Sequence, residues 1–216
     1  MTLIMLAMTS GLGFWQLQRL AWKQGLLAEL ARGEQMAPVP LGEAPLPFRR
    51  VWVEGVFAPL TARYGAEVRN IQAGPVMGAH VIGALLSGTG LPILVDEGWA
   101  PLGFAATPRE GKVRIEGFVR PPDRSSWLGP KDDLAERRFF ALDPAVIGPS
   151  LGFDKVAPFT VVALGRSMSP PFPDTALPRP SNDHLSYAIT WFGLALSLMV
   201  VFGIYVRQVV REASQS

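Results

Sequence analysis

The chain has 216 residues, a formal net charge of +2, no cysteine and a mean hydropathy of +0.24. Such a hydropathy is high for a soluble domain and points to membrane segments, while the missing cysteines exclude disulfides, thiolate metal sites and cysteine nucleophiles. The basic residues are scattered rather than gathered on one periodic face, so no nucleic-acid surface is expected.

Met1–Gln18 is uncharged and mostly apolar, and at about 18 residues it lies near the lower limit for a membrane span. It lacks the basic start and the small-x-small cleavage site of a secretory signal. Leu20, Trp22, Leu26, Leu27 and Leu30 continue the helical pattern beyond Arg19, and Gly33 is a stop signal. The expected element is one helix over residues 1–32 that crosses the bilayer and leaves it near Arg19.

Residues 33–168 change to β texture. Arg50–Phe57 (RVWVEGVF) and Lys112–Arg120 (KVRIEGFVR) alternate apolar and polar residues, the period of a half-buried strand. This predicts Val51, Val53, Phe57, Val113, Ile115 and Val119 inward and their neighbours outward. The two segments share V-x-[VI]-E-G, at Val51–Gly55 and Val113–Gly117, which reads as two similar strands with a glycine kink or bulge. Val76–Leu86, Pro92–Trp99, Arg138–Leu142 and Phe159–Leu164 are further strands, and Asp143-Pro144 opens a short helix with Asp as cap. Ser169–Pro180 is a Pro-rich tether, extending over residues 169–183. Leu185–Val206 follows, about 22 residues without a charge, long enough at ~1.5 Å per residue to span the hydrocarbon core. Tyr187, Trp191 and Tyr205 mark its interfaces, and Arg207 and Arg211 stop it. The expected architecture is membrane α+β: two transmembrane helices, the second over 184–207, flank a β-rich antiparallel barrel or sandwich with a short helix, and 208–216 form a tail.

Catalytic devices are scarce. His80 and His184 are the only histidines, so no i, i+4 pair can hold zinc on a helix, and no phosphate-binding glycine loop is present. Gly148–Gly152 (GPSLG) matches a nucleophile elbow, with Asp174 or Asp183 and His184 following in triad order. Its context is wrong, because a short helix precedes the serine where a strand is needed. Asp132-Asp133 reads as a solvated loop pair. No catalytic residue is assigned.

The remaining constellation lies at the membrane surface. With the middle domain on one side, Trp15, Arg19 and Lys23 come to the same interface as His184, Tyr187 and Trp191. His184, Tyr187, Ala188, Trp191 and Ala195 share one helix face, with the alanines leaving room for a bulky partner. Ser181, Asn182 or Asp183 would cap this helix, whose positive end keeps the His184 imidazole neutral. Two readings fit the spacing. His184 is an interfacial anchor with snorkelling cations, the commoner case; or an apolar slot holds haem, with His184 on the iron and Arg19 and Lys23 at the propionates.

Along most of its length the sequence resembles the surfeit locus protein 1 family of cytochrome c oxidase assembly factors. Gly13–Lys23 is similar to a G-x-W-Q-x-x-R-x-x-x-K signature, Arg50–Phe57 to the family's first strand, and Gly98–Pro101 to its G-W-x-P motif. Ser181–Ala195 (SNDHLSYAITWFGLA) is similar to N-x-H-L-x-Y-A-x-T-W-F-x-x-A, the most specific match. The resemblance implies two spans around a β-rich domain and delivery of haem a to the oxidase catalytic subunit. It also implies His184 as the haem contact, which raises the standing of the haem reading. Partners would be that subunit, haem a synthase as a second candidate, and membrane lipid. Both chain ends would be cytoplasmic and the domain periplasmic in a bacterial inner membrane, or the protein would sit in the mitochondrial inner membrane if the source is eukaryotic. Charge alone does not orient the chain, since Arg19, Lys23 and Arg179 balance Arg207 and Arg211. Asp96-Glu97 stands where the family usually has Asn-Arg before Gly-Trp, so a contact made through that arginine is not carried over. The family's leading residues before the first span are missing, which reads as a late start or a minimal version. The alternative is a membrane-anchored accessory subunit of the oxidase without a cofactor.

Overall fold

A computed structural model describes residues 1–71, 74–88, 90–105, 111–123, 129–176 and 182–214. The chain divides into two compact units, Met1–Ala31 with Pro178–Ser216, and Arg32–Leu177.

The helical unit holds most of α1 (Thr2–Gln35) and all of α3 (His184–Ala213). Among the described residues α3 alone is both long and apolar enough to cross a membrane. Two spans were expected; α1 falls short because Thr9, Ser10, Gln16, Gln18 and then Arg19 dilute its apolar run. Gly33 does not stop α1, which continues one turn past Arg32, where the missing side chain leaves room for the Phe48 carbonyl 2.8 Å from an ideal Cβ position. Asp183 occupies the cap position of α3 but makes no side-chain cap bond. Ser181, Arg179 and the end of the tether lie outside the described residues.

The β unit is built from β1 (Val39–Pro40), β2 (Arg50–Ile71), β3 (Gly74–Leu86), β4 (Ile93–Pro101), β5 (Val113–Arg120), β6 (Arg138–Phe139), α2 (Pro144–Ser150) and β7 (Thr160–Ala163). The main path runs β1-β2-β3-β4-β7-β5, and β5 returns to pair with β2, so five strands close into a ring. The ring is not wholly antiparallel, because β4 and β7 run parallel, and so do the β1–β2 and β2–β6 pairings at its margin. β2 is 22 residues long, several times the usual strand, and serves two neighbours in turn. Arg50–Gly55 pair with β5; from Val56 onward it pairs with β3.

The two V-x-[VI]-E-G copies lie against each other. Val51 faces Gly117, Val53 faces Ile115 and Gly55 faces Val113, in uninterrupted antiparallel register. The expected glycine bulges are therefore absent there, and the irregularities fall between Phe57 and Thr61 and between Tyr64 and Glu67. Both glycines instead admit close backbone neighbours, Leu86 at Gly55 and Val162 at Gly117.

Two apolar layers use the two faces of the sheet. Val51, Val53, Phe57, Ile115, Val119 and Val161 belong to the inner cluster, with Val113 packed at its edge. Ile82, Ala84, Leu94, Phe139, Leu142 and Ile147 form an outer cluster under α2 and β6. Each fully buried side chain of this size contributes about 1.5–3 kcal/mol through lost apolar exposure. Phe118, expected outward as a neighbour of Val119, is instead fully buried, at a point where β5 is paired on both edges, with Arg50 of β2 and Val162 of β7. The Asp143 side chain accepts the Ala145 N–H and opens α2, as its Asp-Pro start predicts.

Candidate functional site

Within the helical unit, residues 13–16 of α1 meet residues 184–192 of α3. Gly13 is needed there, since the Phe192 ring stands 2.8 Å from where a Cβ would be, and Phe14 packs edge-on to the same ring at 5.4 Å. Ala188 and Ala195 are almost wholly buried. The small-residue face of α3 is thus occupied within the unit and offers no open slot. Phe192 fills the seam, and Trp191 is only partly covered.

His184 opens α3, and its Nδ1 lies 2.7 Å from the Gln16 side-chain oxygen. An amide oxygen can only accept, so the imidazole donates its Nδ1–H. Nε2 makes no hydrogen bond among the described residues. Gln16 is 9% exposed, an unusual burial for an amide and one that its bond to His184 accounts for. Asn182 Oδ1, two residues before His184, is buried and unpartnered among the described residues. Trp15 and Tyr187 are about half exposed, flanking the seam rather than lining it. The Arg19 guanidinium lies 5.0 Å over the Trp22 ring, and Lys23 has a partner as well. Of the six expected site residues, the seam itself contains His184, while Trp15, Arg19, Lys23, Tyr187 and Trp191 are disposed around it.

Haem a can be tested against this arrangement. An imidazole fixed through Nδ1, with Nε2 unpartnered and the Trp15 and Tyr187 rings about half exposed nearby in sequence, is a donor of the kind haem iron would accept. No three His, Asp or Glu side chains converge as a metal site among the described residues. A cleft of about 510 Å³ in the β unit is lined by Glu34, Arg50, Glu116, Arg166 and Thr175 but by no histidine or aromatic residue, and its charges balance. It therefore lacks the nitrogen ligand and the rings that a porphyrin needs.

A second cluster, which composition gave no reason to expect, lies in the β unit. His80 on β3 donates Nδ1–H to Asp96 on β4 at 2.9 Å, and the Asp96 carboxylate also accepts the Gly98 N–H at 3.0 Å. Asp96 is 1% exposed. Arg69 approaches His80 Nε2 at 3.4 Å, pairs with Glu67 at 2.9 Å and reaches Asp174 at 3.8 Å. Burial disfavours the imidazolium of His80, yet the hydrogen bond and charge of Asp96, with Asp174 behind, outweigh it, so the ring titrates above its ordinary value. Burial likewise raises the Asp174 carboxyl, against the pull of His80.

The neighbouring Gly-Trp motif fastens the chain that leads toward α3. Gly98 has φ +115°, and the Phe172 carbonyl occupies the space of its absent side chain. Trp99 and Phe172 exchange backbone hydrogen bonds at 3.0 and 2.8 Å, and their rings stack. Trp99 Nε1 donates to the Glu67 carbonyl. The start of the expected tether is consequently part of the sheet margin, with Leu164 also bridged to Asp174.

The remaining candidates have structural roles. Ser150 lies in α2 and its hydroxyl donates to Ile147 O, so GPSLG forms no nucleophile elbow. Asp132 accepts the Phe140 N–H, and Asp133 accepts the Glu136 N–H while bridging to Arg138.

Residues 3–196, which include both the seam and the Gly-Trp anchor, match the SURF1 family. The chain belongs to the SURF1 family. A SURF1-like protein of Rickettsia felis is 29% identical, with 96% of each chain covered. Surfeit locus protein 1 of Homo sapiens is 29% identical over 86% of this chain and 69% of its own length, and that of Gallus gallus is 28% identical over 85% and 67%. Against this family, Gln16 and the His80–Asp96 pair are what reasoning from sequence left without a role. Gln16 lay inside the quoted first motif, and its pairing with His184 follows only once two helices 168 residues apart are packed. His80 carried no local signal at all.

Proposed function

We propose that this SURF1 family member is a membrane-bound assembly factor for cytochrome c oxidase that holds haem a at His184 and passes it to the oxidase catalytic subunit. The observation that supports this most directly is the 2.7 Å bond from His184 Nδ1 to Gln16, which leaves Nε2 without a protein partner at the edge of the helix pair. Haem a, when bound, would supply an iron able to accept the His184 imidazole. The chain's part is to present that nitrogen, to cover the macrocycle with Trp15, Tyr187 and Trp191, and to neutralise propionates with Arg19 and Lys23 at headgroup depth. The role is one of holding and transfer, with no covalent chemistry of its own.

In this reading α1 is a second, marginal span beside α3, both termini are cytoplasmic, and the β unit faces the periplasm or intermembrane space. Haem a synthase is the natural donor and the oxidase catalytic subunit the acceptor. A competing reading, an accessory subunit that grips the oxidase without cofactor, draws on the occupied Ala188–Ala195 face. The visible spectrum decides between them. Protein purified from cells that make haem a should carry it, and His184→Ala should lose it while inserting normally and keeping its β-domain circular dichroism. Equal haem a content in His184→Ala makes His184 an anchor and favours the accessory reading.

A further inference from the structure

Gln16 is a nearly buried amide on α1, held in place by the Gly13–Phe192 contact one turn before it. Such an amide is unfavourable in that setting unless a partner satisfies it. Its partner is the one histidine in the helical unit, 168 residues away in sequence. The two nitrogens of a neutral imidazole are not equivalent, and the bond made at one decides the state of the other. With Gln16 Oε1 accepting at Nδ1, the proton is held there and Nε2 is bare. The reverse arrangement, the amide NH2 donating to Nδ1, would leave the proton on Nε2 and use both nitrogens.

We propose that Gln16 is the positioning residue of the His184 site: it locks the Nδ1–H tautomer and aims Nε2 outward from the seam. This rests on the haem reading for its purpose, but the tautomer itself is a property of the chain alone. An acceptor on Nδ1–H also raises the basicity of Nε2, so it strengthens bonding to ferric more than to ferrous iron. Gln16 touches neither iron nor porphyrin; it acts through His184.

The test uses the full chain in detergent, with Gln16→Leu, which removes the amide at similar volume, and Gln16→Glu, which keeps an acceptor oxygen. Nitrogen-15 NMR of the haem-free protein should show His184 protonated at Nδ1 in the parent and in Gln16→Glu, and shifted toward Nε2–H in Gln16→Leu. Titrated with haem a, Gln16→Leu should bind about 10–100-fold more weakly than the parent, with a higher midpoint potential. Gln16→Glu should restore binding. If the parent binds no haem a, the ligand reading fails, and the tautomer measurement still decides the role of Gln16. If the parent binds through His184 while Gln16→Leu keeps tautomer, affinity and potential, the proposal is overturned. If Gln16→Leu does not fold, an Nε2–H tautomer in the parent or in Gln16→Glu overturns it equally.

Discussion

Ile115 and Arg114 are neighbours on β5 that face opposite ways, and their burial sets how each responds to change. Ile115 sits in the inner cluster opposite Val53. Ile115→Ala should destabilise the domain by about 2–5 kcal/mol, the usual range for a cavity of this kind. The Arg114 side chain is half exposed, with its guanidinium 4.1 Å over the Trp52 ring and only long ion pairs to Glu54 and Glu116. Arg114→Ala should cost at most about 1 kcal/mol. Denaturant midpoints of the two variants check the register, and equal losses would show it to be wrong. Gly98 makes a sharper case, because an alanine there meets both a disfavoured backbone region and the Phe172 carbonyl. Gly98→Ala should cost more than about 1 kcal/mol and release the Trp99–Phe172 bridge, seen as faster amide exchange at Trp99 and Phe172.

At the scale of elements, β3 and β4 show how charge can be carried inside a sheet. His80 on β3 faces Asp96, Arg69, Glu67 and Asp174, with the Tyr64 ring beside it. Since its folded pKa is raised above the ordinary 6.5, the stabilisation from its proton is complete below that value and is lost as pH rises through the folded pKa. Asp174, also raised, gives the same sign in a more acidic window above its ordinary 3.8. The denaturant midpoint of the full chain should therefore fall as pH rises above the ordinary histidine value of 6.5, and His80→Gln should flatten that fall. A midpoint rising over this range would contradict the assignment. The strands also show why some of the fold could be read from sequence and some could not. Period-2 alternation found β5 and the first half of β2, where one face meets the core and the other meets water. In β4, expected over Pro92–Trp99 from its Gly and Pro flanks, eight successive residues, Ile93–Ala100, are buried, with Ile93 and Val95 in the inner cluster and Leu94 in the outer one, so alternation has nothing to report. Likewise the outer half of β2, from Ala58 to Ile71, was missed because register shifts at Thr61 and Glu67 reset its inward face. At the candidate site, His184 was legible from its helix position, whereas Gln16 and the occupation of the Ala188 face depend on which helix packs there.

For the whole molecule, an even number of crossings is the expectation that follows from reading α1 and α3 both as spans. A periplasm-dependent reporter fused after Ser216 should be silent, and an active one would invert or break that topology. The order in which the ring is assembled carries a further consequence. β2, β3 and β4 form a consecutive meander, but β4 and β5 are joined only through β7, which is not reached until Thr160, and the strap at Phe172 comes later still. A nascent chain ending before residue 160 therefore exposes strand edges on β4 and β5, with apolar side chains ready to pair with any other open sheet. Premature termination in the last third of the gene should accordingly yield no residual half-domain. Such products are expected to be cleared by proteolysis or to aggregate, and pulse-chase labelling of a chain stopped at Lys155 would show it.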